Sequence, residues 1–85
     1  MEKDEQFYRN MMINESGSEV SASLAASAVY AAKYGACNPA DKNRIEYKQI
    51  LRKLREKYKG SNLSVSETIA EMDAVKSDTR QVRPQ

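Results

Sequence analysis

The stretch from Asn38 to Gly60 constrains the fold most, because it has the start and stop residues and the periodicity of one amphipathic helix. Asn38 and Pro39 suit the N-cap and the first helical position, and Gly60 suits the residue that ends a helix. At about 3.6 residues per turn, one sector is apolar and consists of Tyr47, Ile50, Leu51, Leu54 and Tyr58. This sector is predicted to pack against the rest of the chain.

The sector beside the apolar one is basic. Its five cations, which we call the basic stripe, are Arg44, Lys48, Arg52, Arg55 and Lys59. Cations four positions apart repel each other by about 0.2 to 0.5 kcal/mol per pair, so a face that served only solubility would mix the two signs. Three of the five are arginines, whose planar guanidinium groups make paired hydrogen bonds to a carboxylate or a phosphate. The stripe therefore indicates an acidic partner.

The distribution of charge along the chain points the same way. The net charge is +2, but residues 39–59 hold 8 cations against 3 acids, and the remainder holds 6 cations against 9 acids. Such polarity favours a directed contact over general coating of nucleic acid. The alternative is a solvated helix face, in which Glu46 and Glu56 pair with cations three or four positions away. Tyr30 lies near the polar side of the preceding helix and is the tyrosine predicted to join a partner contact.

Three other segments are predicted to be helical. A short helix covers about residues 4–13, and a helix rich in Ala and Ser follows from near Gly17, where Ser16 and Glu19 form a capping-box pattern, to Tyr34, with Gly35 ending it. The small side chains of this second helix suit a central helix packed by its own chain. The alternative for it is a dimer seam or a docking surface.

The last predicted helix opens at the capping-box pair Ser64 and Glu67 and runs to about Lys76. No segment alternates with period two, so no strand is predicted. The fold class is therefore all-α, a small helical bundle of three main helices plus a short N-terminal helix. Residues 1–76 form one domain, and residues 77–85 form a polar C-terminal tail predicted to be disordered.

Composition argues against catalysis, cofactors and membranes. The chain has no histidine, so it lacks the residue most used for acid-base chemistry near neutral pH and cannot form a Ser-His or Cys-His pair. Metal-ligand clusters and Gly-rich phosphate loops are also missing from the sequence, so no enzyme activity, metal or cofactor is expected. A single cysteine, the lack of a secretory signal and the lack of a membrane span lead us to expect a cytoplasmic protein.

Three functional hypotheses remain. The first is a regulator or inhibitor whose basic stripe docks on an acidic protein surface, on a partner that itself handles nucleic acid. The second is direct binding of DNA or RNA by the same face, for which the short Gly35–Asn38 connection would suit a helix-turn-helix. The third is a structural subunit or homo-oligomer, because Leu, Ile, Val and Phe together number only 14. Its seams would be the Ala-rich helix and the face formed by Phe7, Met11 and Met12.

Overall fold

A computed structural model describes residues 2–14 and 17–81 of the 85-residue chain, with side chains through residue 78. The described part is a small, mostly helical unit. Its α-helices are α1 (Glu5–Asn14), α2 (Ala22–Tyr34), α3 (Ile45–Tyr58) and α4 (Val65–Gln81), and a 3₁₀ helix spans Pro39–Asn43. Its strands are β1 (Lys3–Asp4), β2 (Glu19–Ser21), β3 (Ala36–Cys37) and β4 (Asn62–Ser64).

The strands correct the prediction of an all-α chain. β1 pairs with β3 and β2 pairs with β4, each antiparallel, with Val20 opposite Leu63 in the second pair. Each strand is two or three residues long, which is too short to show period-two alternation. The helical character of the fold is confirmed, and the prediction that no strands form is wrong.

α2 begins later than predicted and ends where predicted. Ser21 is its N-cap and accepts a hydrogen bond on its side chain from the backbone N–H of Leu24 at 3.1 Å. The predicted cap Ser16 lies outside the described residues, and Glu19 belongs to β2. At the other end Gly35 adopts φ 90°, a left-handed conformation that glycine enters without steric cost.

The long helix predicted from Asn38 is interrupted. Pro39–Asn43 form the 3₁₀ helix, and the carboxylate of Asp41 accepts the backbone N–H of Asn38 at 3.0 Å. Arg44 is extended, with φ −77° and ψ 148°, and α3 begins at Ile45. The cap therefore starts a separate short helix, and Arg44 is not part of α3.

The predicted capping box of α4 is confirmed. The carboxylate of Glu67 accepts the backbone N–H of Ser64 at 2.8 Å, and the backbone N–H of Glu67 donates to the Ser64 hydroxyl at 3.1 Å. The helix continues past the predicted end at Lys76 as far as Gln81, so residues 77–81 are helical and not a free tail. Residues 82–85 of that predicted tail lie outside the described residues.

α2 lies at the centre of the fold and packs against α1, α3 and α4. Nine of its residues are buried, namely Ala22, Ala25, Ala26, Ser27, Ala28, Val29, Tyr30, Ala31 and Ala32. The interpretation of α2 as a helix packed by its own chain is confirmed. The predicted oligomer seam on α1 is only partly open, because Met12 is fully buried and Met11 is half-buried, while Phe7 is exposed. Within residues 2–14 and 17–81, no helix is both long and apolar enough to cross a membrane.

Candidate basic docking face

α3 places most of the basic stripe on the surface. Its inward side buries Tyr47 and Leu54, which are each 3% exposed. Lys48, Arg52 and Arg55 are exposed on the helix, and Lys59 is exposed at its left-handed C-cap, φ 53°.

The helix that carries the stripe is anchored at both ends. Near its start, the Lys33 ammonium of α2 lies 2.6 Å from the Glu46 carboxylate. Near its end, the Glu71 carboxylate of α4 accepts hydrogen bonds from Lys57 and Tyr58, each at 2.6 Å. α3 therefore presents its outer side from a fixed position on α2 and α4.

Ion pairing divides the described cations into those with a carboxylate partner and those without one. Five described cations are paired with carboxylates at 2.6–3.0 Å. They are Arg9, Lys33, Arg44, Lys57 and Lys76. The side chains of Lys48, Arg52, Arg55 and Lys59 form no hydrogen bond or ion pair with any described residue, and the same is true of Lys3, Lys42 and Lys53, which lie elsewhere on the surface. We call the first four residues the unpaired face.

The acids that were expected to neutralise α3 do not pair with this face. The hydrogen bond from Lys33 lowers the pKa of Glu46 and keeps that carboxylate turned toward α2. Glu56 forms no ion pair within the described part of the chain, although Arg52 and Lys59 are four and three positions away. The like charges of the unpaired face are therefore offset by neither glutamate.

Arg44 behaves differently from the rest of the stripe. Its Nε atom lies 3.0 Å from Oδ1 of Asp41, whose side chain is only 9% exposed. Because Asp41 also holds the backbone N–H of Asn38, it fixes the turn before α3 as well as neutralising Arg44. Arg44 thus adds less charge to the surface than the sequence pattern predicts.

The prediction that Tyr30 lies near the polar side of its helix is wrong. Tyr30 is 6% exposed, and its ring centre lies 4.7 Å from that of Tyr34 and 6.2 Å from that of Tyr47. Burial, with a smaller contribution from the charge of Asp41, raises the pKa of Tyr30. Tyr34, one turn further along α2, is 50% exposed and is the tyrosine that reaches the surface.

Sequence reasoning also missed Ile45, which is 75% exposed at the first position of α3. Its position outside the apolar sector of the helix could have predicted this exposure. Ile45, Lys48, Gln49 and Arg52 line a shallow depression of about 320 Å³. Ile45 also borders a cavity of about 680 Å³ between the end of α2 and the start of α3, together with Tyr30, Tyr34 and Arg44.

Cys37 is 3% exposed, and burial raises the pKa of its thiol, so its place before a helix start does not activate it. No cluster of three or more potential metal ligands occurs within residues 2–14 and 17–78.

No protein-family model, curated protein or solved structure matches this chain.

Proposed function

We propose that this chain is a non-enzymatic helical binding protein, a regulator or inhibitor, that docks through the unpaired face on an acidic surface of a larger partner. The observation that carries the proposal is that four cations without a carboxylate partner in the described part of the chain follow one side of α3. Arg9, Lys33 and Lys57 have carboxylate partners within the chain, whereas the four cations of the unpaired face have none among the described residues.

An acidic partner would relieve the electrostatic repulsion between the cations of the unpaired face. Lys48 and Arg52 are four positions apart, as are Arg55 and Lys59, and each such pair costs about 0.2 to 0.5 kcal/mol in an exposed helix. An acidic surface would remove this cost and add charge-assisted hydrogen bonds. From Lys48 to Lys59 the face extends about 16 Å at ~1.5 Å per residue, which sets the length of the acidic patch.

Several features favour a protein partner over DNA or RNA. A recognition helix reads bases with residues at its N-terminus, and α3 begins there with Ile45 and Glu46. Arg44, which precedes them, is already engaged by Asp41. The connection between α2 and α3 covers residues 35–44 and contains β3 and the 3₁₀ helix, unlike the short turn of a helix-turn-helix.

The test compares two triple charge reversals with the same net charge. The first, Lys48→Glu, Arg52→Glu and Arg55→Glu, inverts the unpaired face. The matched control, Lys3→Glu, Lys42→Glu and Lys53→Glu, reverses exposed cations that form no ion pair with described residues and lie outside that face. Circular dichroism should show the same helicity for both.

Binding is measured against a partner captured from the source cell, and by fluorescence anisotropy against labelled duplex DNA, single-stranded DNA and RNA. If each lost contact contributes about 0.5 to 1 kcal/mol, inversion of the face weakens partner binding at least ~10-fold, while the control stays within ~3-fold. Equal affinity of the two variants for the partner would refute the proposal. Saturable nucleic-acid binding that weakens between about 50 and 200 mM salt would instead support direct DNA or RNA recognition.

A further inference from the structure

Two exposed apolar side chains adjoin the unpaired face. Tyr34 is 50% exposed and Ile45 is 75% exposed, and both border the cavity of about 680 Å³ between α2 and α3. Ile45 also lines the depression of about 320 Å³ that contains Lys48 and Arg52. The cavity and the unpaired face therefore form one continuous surface, with Ile45 shared between them.

The walls of the cavity are held by ion pairs within the chain. Lys33 of α2 binds Glu46 of α3 at 2.6 Å, and Arg44 binds Asp41 of the 3₁₀ helix at 3.0 Å. These pairs neutralise two of the three acids that line the cavity, which leaves the exposed Glu2 at its edge. A ligand would meet a largely preformed and nearly charge-balanced opening, so binding would require little ordering of the chain.

An exposed isoleucine beside four unpaired cations restricts the chemistry of the partner. Complete burial of a large aliphatic side chain strengthens binding by at least ~10-fold. Phosphates of a nucleic-acid backbone would neutralise the cations but would leave Ile45 and Tyr34 in contact with water. A polypeptide can satisfy both parts of the surface at once.

We propose that the partner presents an acidic polypeptide segment with one bulky apolar side chain, which enters the cavity between Tyr34 and Ile45 while carboxylates bind the unpaired face. This inference rests on the proposed function and specifies its target. The first carboxylate would lie about one helical turn from the apolar anchor, because Lys48 is three positions after Ile45. From Ile45 to Lys59 the surface runs about 21 Å, which a segment covers with ~14 helical or ~6 extended residues.

The probe is a library of random peptides of about 16 residues, long enough for the helical case, displayed on phage and selected against the immobilised full chain. We expect the enriched peptides to combine several acids with one aromatic or large aliphatic residue. The best peptide is then synthesised with a fluorescent label, together with a version in which Ser replaces that apolar residue. Anisotropy should give about 10-fold tighter binding to the apolar version.

Protein variants locate the anchor. Ile45→Ser should reduce the preference for the apolar peptide to about 2-fold without changing affinity for the serine version. The matched control is Ile13→Ser, because Ile13 is 65% exposed but lies on α1. It should leave the preference unchanged.

The possible failures are distinguishable. Acidic peptides without a common apolar residue, or an Ile45→Ser variant that keeps the full preference, would overturn this inference and leave the proposed function standing. Absence of any acidic enrichment would overturn both. Enrichment of sequences from this chain itself, with dimers in sedimentation equilibrium, would identify a second copy as the occupant and refute a separate partner.

Discussion

The hydroxyl of Tyr47 joins α3 to α2, so its removal tests how the candidate face is held in place. Tyr47 is 3% exposed, and its hydroxyl donates to the backbone carbonyl of Ser23 at 2.9 Å. The same oxygen lies 3.2 Å from the hydroxyl of Ser27 and 3.3 Å from that of Ser23. Tyr47→Phe removes these hydrogen bonds while the ring still fills its site.

The expected loss of stability follows from what the hydroxyl leaves behind. A typical intramolecular hydrogen bond contributes about 0.5 to 1.5 kcal/mol net, and stranding a buried polar partner raises the loss to about 1 to 3 kcal/mol. Ser27 is only 2% exposed, but its hydroxyl still donates to the carbonyl of Ser23 at 3.2 Å. The Ser27 hydroxyl and the Ser23 carbonyl therefore keep a hydrogen bond, and the Ser23 hydroxyl, which loses its partner, is only half-buried. We therefore expect Tyr47→Phe to lower the free energy of unfolding by about 1 kcal/mol.

Urea unfolding followed by circular dichroism measures this change, and thermal unfolding should show a midpoint lower by about 4 to 8 °C. The comparison is Tyr34→Phe, which removes a hydroxyl that hydrogen-bonds to Glu46 at the surface; because Tyr34 is 50% exposed, water replaces that bond and the expected change is within about 0.5 kcal/mol. A double-mutant cycle of Tyr47→Phe with Ser27→Ala should give a coupling energy of about 0.5 to 1 kcal/mol. If Tyr47→Phe matches Tyr34→Phe, or if the coupling is zero, the hydroxyl does not join the two helices.

Three other changes test the ion pairs, the helix cap and the thiol. Burial alone would raise the pKa of Glu5, but hydrogen bonds from Lys76 and Arg9 together lower it below its ordinary value of 4.5. The stabilisation that ionised Glu5 contributes is therefore present above the unfolded-state pKa, and it is lost as the pH falls through the lower folded-state pKa. Glu5→Gln should lower the free energy of unfolding, measured in urea, by about 1 kcal/mol at pH 7 and should have no effect once the pH is below both pKa values. A loss of stability that does not change with pH would contradict the role of the Glu5 carboxylate. Ser64→Ala removes the α4 cap and should lower the free energy of unfolding by about 1 kcal/mol, and an unchanged urea midpoint would show that the cap does not contribute. Because Cys37 is buried and its pKa is raised, a disulfide reagent at pH 8 should modify it at least ~10-fold more slowly in the folded chain than in urea, and equal rates would mean that the site is open.

Local signals predicted the helices where the determining groups are close together in the chain. The capping box of Ser64 and Glu67 spans three residues, and the stop at Gly35 needs only one residue that accepts a positive φ. The burial of Tyr47 and Leu54 followed from the period of a single helix. These features depend on hydrogen bonds and periodicity within one segment, so the sequence alone was enough to locate them.

Tertiary structure decided the features that join distant segments. β2 forms only because Glu19–Ser21 meets Asn62–Ser64, and that pairing moves the start of α2 from the predicted Gly17 to Ala22. The predictions for Arg44 and Tyr30 failed for the same kind of reason. Asp41 binds Arg44 at an extended turn, and the packing of α3 covers Tyr30.

The sequence alone determined that α3 would be amphipathic and basic, because side-chain identity and helical period fix which residues share a face. It did not determine which cations would remain unpaired. Glu46 had basic neighbours within its own helix, yet it binds Lys33 of α2 at 2.6 Å, and Glu71 of α4 binds Lys57 at 2.6 Å. An ion pair forms with whichever opposite charge the fold brings within reach, so only the tertiary structure separated the unpaired face from the cations that stabilise the chain.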